Sequence, residues 1–196
     1  MRGQVVYQIR LRYQLNNLHT LFNEAKINKK PLLIKSFNLN VPKWENFIDN
    51  IYSKANSNQL MEFFHGKNIN DVSVYNMLDL FIPFAADEEN ENGLLGLKDV
   101  INLLKKDLKV NFFNVKSIIN FAGYEANYWP HEDPNDVVSW HCIGNVEWRI
   151  HKGETYESYH LSPGDLFYCP KGTVHEIVVD KPRASIVLDY FNPLDN

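Results

Sequence analysis

Residues 164–179 read GDLFYCPKGTVHEIVV, and the reading of this stretch decides the fold. DLFYC and HEIVV are short runs rich in aromatic and β-branched residues, the composition of strands. Between them Pro170-Lys171-Gly172 reads as a tight turn, which fixes where the second run begins and puts His175 at its first position. Such a turn lets a side chain from one strand meet a pair from a distant one. That pair stands upstream as His131-Glu132-Asp133, with Asp133 lying 42 positions before His175. In a strand, positions i and i+2 face the same way, so His131 and Asp133 are expected to enter one space while Glu132 points out. Two neutral imidazoles and one carboxylate are the usual ligands of a mononuclear non-haem Fe(II) centre. An H-x-D pair alone is common surface polarity; the third residue gives it meaning.

Outward from this stretch, the texture is uniform after about residue 111. VKSIINF, VVSWHCI, VEWRIH, TYESYHL and ASIVLDYF join DLFYC and HEIVV as strand-like runs. Gly123, Gly144, Gly153, Pro163-Gly164 and Asp180-Lys181-Pro182 punctuate them. Many short strands at this spacing mean a sandwich or a small barrel. The first 110 residues are mixed. Leu15, Leu18, Leu21, Phe22 and Ala25 recur at helical spacing and predict a helix over 15–28, ended by Lys29-Lys30-Pro31. LLIKSF (32–37) and Gln59–Phe64 read as strands, and helices are expected over 44–54 and 97–108. The acidic run at 87–93 reads as a solvated loop. The expected organisation is one domain over 1–196, with 1–110 a helical and mixed flank and 111–196 a β core holding the site.

Bulk properties exclude several classes. Of 196 residues 44% are hydrophobic and 13% aromatic, enough for a real core. A net charge of −4 without a basic block argues against DNA as a partner. No apolar run approaches the roughly 20 residues of a membrane span, and MRGQVVYQIRLRYQ lacks a signal-peptide core. Cys142 and Cys169 form no disulfide framework; they read as small core fillers in a reducing, cytoplasmic protein. No residue signals an oligomeric state.

The spacing Gly164-x5-Pro170-x-Gly172-x2-His175 resembles the second cupin motif, although that motif's usual following Asn is Val179 here. Upstream, His131-x-Asp133-Pro134 followed by Gly144, Trp148 and Ile150 resembles the cupin-like JmjC hydroxylases, whose pattern is H-x-D, a strand, then G-x-K-x-W-x-L. Lys30-Pro31-Leu32-Leu33-Ile34 is similar to their early strand. The resemblance is specific over 115–191. It implies a mainly β fold with flanking helices: a double-stranded β-helix (cupin or jelly-roll barrel) with an N-terminal α/β portion. It also implies an Fe(II)- and 2-oxoglutarate-dependent dioxygenase that hydroxylates a C–H bond with O₂. His131, Asp133 and His175 match the family's metal ligands one by one. The substrate would be a protein side chain or a small molecule.

The sequence also departs from the family. The lysine of G-x-K-x-W, which commonly pairs with the distal carboxylate of 2-oxoglutarate, is Val146. A buried dicarboxylate needs a cation or several donors. Arg183, eight residues after His175, is the replacement; Arg183-x-Ser185 resembles an arrangement in another branch of the superfamily, and a guanidinium matches a carboxylate with two parallel N–H groups. The competing reading puts Arg183 on a surface hairpin after Pro182. Lys171, in an exposed turn, is the poorer choice. Tyr128 corresponds to a hydroxyl position that assists the carboxylate. His141 is expected to be a hydrogen-bonded core histidine with a possible pocket role, and Trp148 a core residue facing the pocket. His151 and His160 read as surface, His19 and His65 carry no pattern, and Glu125 and Asp136 are candidates for the pocket mouth. Two rival functions remain: a metal-dependent cupin enzyme that does not use 2-oxoglutarate, which the absent lysine favours, and a non-catalytic cupin-like binding module.

Overall fold

The alternation that begins near residue 111 becomes two facing sheets. The computed structural model describes residues 18–38, 40–56, 79–84, 96–108, 114–121 and 128–190. In chain order its elements begin with α1 (Leu18–Ile27), β1 (Leu32–Ile34), α2 (Trp44–Asn56), β2 (Asp79–Phe84) and α3 (Leu97–Leu108). The strands β3 (Asn114–Asn120), β4 (Tyr128–His131), β5 (Asp136–Ile143) and β6 (Val146–Lys152) follow. The chain then forms β7 (Thr155–Leu161), β8 (Leu166–Cys169), β9 (His175–Val178) and β10 (Arg183–Tyr190). One sheet has the order β1-β8-β5-β10-β3-β2 and the other β4-β9-β6-β7; every pairing is antiparallel.

Apolar side chains decide which face goes where. Leu33, Ile118, Val137, Phe167 and Val187 of the larger sheet meet Val146, Trp148, Ile150, Leu161 and Ile177 of the smaller one and close the barrel interior. The other face of the larger sheet carries Val115, Ile119, Val138, Trp140, Tyr168 and Ile186. It packs against Leu18 and Phe22 of α1, Phe47 of α2, and Leu97, Val100 and Leu104 of α3. The strand β5 is therefore buried almost throughout, whereas β6 alternates between buried and half-buried residues from Val146 to His151 because its outer face meets solvent.

Several expectations are sharpened. The helix expected over 15–28 is described from Leu18 and ends in a Schellman turn: the Lys30 N–H donates to Ala25 O and the Lys29 N–H to Lys26 O, with Lys29 at φ +48°. LLIKSF is a strand only to Ile34, because Ser36 takes φ +52°, outside the extended region. DLFIPF was not expected as a strand. It forms β2 by pairing with β3 at the sheet edge, where the missing N–H of Pro83 is tolerated. The helix expected over 97–108 spans Leu97–Leu108, and that over 44–54 extends to Asn56. The strand expected over Gln59–Phe64, the acidic run at 87–93, His65 and Glu125 lie outside the described residues. None of the described helices is long and apolar enough to cross a membrane.

Candidate metal centre

The β4–β9 pairing brings the ligand candidates together, with a register that the sequence did not betray. Tyr128 stands opposite Ile177, but His131 stands opposite His175, so β4 has one residue more than β9 between the pairs. This is a β-bulge at Trp129-Pro130, and Pro130, without an N–H, cannot join the ladder. The extra residue turns His131 to face His175 directly. Their ring centroids are 4.3 Å apart. Asp133 is not in the strand, as the i, i+2 argument supposed; β4 ends at His131 and Asp133 lies in the loop that follows, while Glu132 is exposed. That loop is tied to the turn before β9. The Gly172 N–H donates to Asp133 O at 3.0 Å, and the Lys171 N–H donates to Asp136 Oδ1 at 2.8 Å. Gly172 takes φ +71°, which a glycine accepts without strain. Asp136 is thus a buried brace for the turn that carries His175, not a group at the pocket mouth.

One ligand atom each from His131, Asp133 and His175 lies within 4.8 Å of the others. His175 Nε2 is 3.5 Å from Asp133 Oδ2. Both imidazoles are oriented by backbone carbonyls: His131 Nδ1 is 2.7 Å from Trp129 O, and His175 Nδ1 is 2.9 Å from Thr173 O. A carbonyl only accepts, so each Nδ1 carries the hydrogen and each Nε2 keeps its lone pair. This is the arrangement in which metal-binding histidines are held. Burial lowers the His175 pKa and keeps the ring neutral, outweighing the opposing hydrogen bond to Thr173. Trp148 stacks on His175 at 5.0 Å and 21°, fixing its ring plane. The Cys169 sulfur is 3.8 Å from His175 Nδ1, but burial pushes that thiol up to about 12, so it stays protonated core. The donor set fits a divalent iron ion by its chemistry: two imidazoles and a carboxylate at the end of a pocket.

That pocket also contains Arg183. It lines the same cavity as the three candidates, and only 2% of its surface is exposed, so the surface-hairpin alternative does not hold. Arg183 pairs with Asn120 of β3, itself fully buried. Gly144 allows this: at φ +77°, a Cβ there would come within 2.5 Å of Pro182 O and 3.3 Å of the Arg183 Cα. Val146, at the family's lysine position, is buried in the apolar cluster between the sheets. Ser185 is buried with its hydroxyl 2.8 Å from His141 Nδ1, and it is not among the residues lining the pocket. The backbone of Tyr128 pairs with Ile177; its side chain lies outside the described residues. Lys171 is exposed.

Sequence reasoning missed three polar pocket residues. Lys116 and Asp189 line the cavity and form an ion pair at 2.9 Å between β3 and β10, and Ser139 of β5 is buried against it. Both faces of β3 are covered, so its alternation gave no hint of which face met the pocket.

No family model matches the sequence, and no curated protein matches it. Solved structures do. The ribosomal oxygenase YcfD from Escherichia coli superimposes with a TM-score of 0.59 at 18% identity over 95% of this chain and 54% of that one. Its complex with cobalt and succinic acid gives 0.60 at 18% identity, and its complex with cobalt and 2-oxoglutarate 0.59 at 17%; each covers 94% of this chain and 53% of the other. The fold is mainly β with flanking helices, a double-stranded β-helix of the cupin type. The cupin-like chain spans about half the length of those structures. At such identity the likeness is one of fold, and the chemistry of this cupin-like pocket rests on its own residues.

Proposed function

We propose that the protein is an Fe(II)- and 2-oxoglutarate-dependent dioxygenase that hydroxylates a C–H bond of a protein side chain or small molecule. The reading is carried by one observation: His131, Asp133 and His175 converge in the cavity that a buried arginine, Arg183, also lines. Bound iron with 2-oxoglutarate and O₂ would supply the oxidation, the co-substrate losing CO₂ to become succinate. The chain's own residues do the rest. His131 and His175 present Nε2 lone pairs because their Nδ1 hydrogens are committed to Trp129 and Thr173. Asp133 contributes the negative charge. Arg183 receives the distal carboxylate in place of the missing lysine, with two parallel N–H donors. Ile118, Val137, Ile177 and Val187 give the same cavity an apolar part to its wall. The E. coli neighbour is named a ribosomal oxygenase and has been captured with cobalt and 2-oxoglutarate, which supports both the co-substrate and a macromolecular substrate.

Val146 favours a second reading, a metal-dependent cupin that works without 2-oxoglutarate. One titration separates the two. Fe(II) is added anaerobically, followed by 2-oxoglutarate, and the visible metal-to-ligand charge-transfer band is recorded. A band that is lost in Asp133→Ala and weakened in Arg183→Ala supports the dioxygenase. Metal binding without a band supports the second reading, and no metal binding supports a non-catalytic module.

A further inference from the structure

A hydrogen-bonded triad beside Arg183 has no part in the reaction so far. His141 is fully buried on β5. Its Nε2 lies 3.0 Å from Gly144 O, and its Nδ1 lies 2.8 Å from Ser185 Oγ. The carbonyl of Gly144 only accepts, so Nε2 must carry the ring hydrogen. Burial pushes the imidazole pKa down to about 4, and the charge of Arg183 acts in the same direction. The ring is therefore neutral near pH 7, and Nδ1 holds a lone pair. The contact with Ser185 closes only if the serine hydroxyl donates. A hydroxyl has one hydrogen, and here His141 takes it.

The two bonds also join the two backbone segments that seat Arg183. Ser185 follows it by two residues on β10, where the register with β5 shifts between Ala184 and Ser185. Gly144 packs against the Arg183 backbone from the β5–β6 turn, closely enough that no Cβ would fit. His141 bridges this irregular stretch of β10 to that turn.

We propose that His141 is a positioning residue for Arg183, and that Ser185 gives its hydroxyl hydrogen to His141 and not to the co-substrate. The Arg183-x-Ser185 pair then divides its work: the guanidinium recognises a distal carboxylate, and the serine anchors the strand that presents it. The inference rests on the co-substrate reading above, and its test is built so that its own failure can be told apart from the failure of that reading.

The first measurement is the ¹⁵N spectrum of the His141 ring at pH 7, in metal-free protein and in Zn(II)-loaded protein with 2-oxoglutarate. Nδ1 should be unprotonated and hydrogen-bonded in both. A protonated Nδ1, or an Nδ1 that loses its hydrogen bond when 2-oxoglutarate is added, overturns the proposal. The second is calorimetry on Mn(II)-loaded protein with 2-oxoglutarate and with pyruvate, which lacks the distal carboxylate. His141→Phe should weaken 2-oxoglutarate by roughly tenfold, the scale of a displaced charged hydrogen bond, and pyruvate by less than about twofold. His141→Asn, whose amide oxygen can accept from Ser185, should recover part of the loss and stands in if His141→Phe does not fold. Ser185→Ala should cost less than His141→Phe. A larger loss in Ser185→Ala, or equal weakening of both ligands in the His141 variants, overturns the positioning role. Wild-type protein that binds the two oxo acids equally overturns the co-substrate reading and this role with it, whatever tautomer the spectrum shows.

Discussion

Three histidines in this barrel have the same local logic with different ends. His131, His175 and His141 each give one ring hydrogen to a backbone carbonyl, of Trp129, Thr173 and Gly144 respectively. In the first two the remaining nitrogen lies among the candidate ligand atoms; in the third it faces a serine. Those carbonyls lie two or three residues away, so the tautomers are set locally, but the sequence does not say which nitrogen turns inward. His141 makes a pH prediction possible. Its pKa falls from 6.5 in the unfolded chain to about 4 in the fold, so the unfolded state takes up a proton first as the solution is acidified. Stability that is complete above pH 6.5 is therefore lost as the pH falls toward 4, by about 3 kcal/mol in all. Urea unfolding of wild type and His141→Asn across this range should show the difference between them narrowing in acid. A difference independent of pH would refute the buried neutral ring.

At the scale of elements, the most legible segments were those with strand-like composition between clear turn signals. TYESYHL is β7 residue for residue, because a run with Thr and two Tyr lies between Gly153 and Pro163-Gly164. The register of β4 was hidden, because a bulge at Trp129-Pro130 breaks the period at the point where function needs a side chain re-aimed. The turn before β9 makes a prediction at this scale. Asp136→Ala removes the acceptor of the Lys171 N–H and loosens the segment that carries His175. Mn(II) affinity should fall roughly tenfold while the circular dichroism spectrum stays unchanged, the size of effect expected from a group that holds a ligand in place. The Schellman turn of α1 makes the opposite one. Lys29 is exposed at φ +48°, so Lys29→Gly should raise stability by about 1 kcal/mol in thermal unfolding.

Across the whole molecule, two cores divide the work. The cluster between the sheets surrounds the pocket, whereas the cluster under α1, α2 and α3 lies on the far face of the larger sheet. Damage to the helical layer should therefore cost stability and spare the site. Leu104 is fully buried there, and Leu104→Ala should lower stability by roughly 2–5 kcal/mol, read from urea unfolding, with Mn(II) affinity unchanged. A parallel loss of metal binding would show the two cores to be coupled. The sequence by itself determined the chemical identities of the candidate ligands, the strand-rich second half and the tight turn before His175, because composition, alternation and turn chemistry act over a few residues. Only the tertiary structure decided that His131 faces His175, that Arg183 is buried in their cavity, that Ser185 turns to His141, and that Lys116 and Asp189 meet across two strands. Those outcomes depend on strand register and on which of two faces is covered, and both are set by backbone hydrogen bonds between residues far apart in the chain.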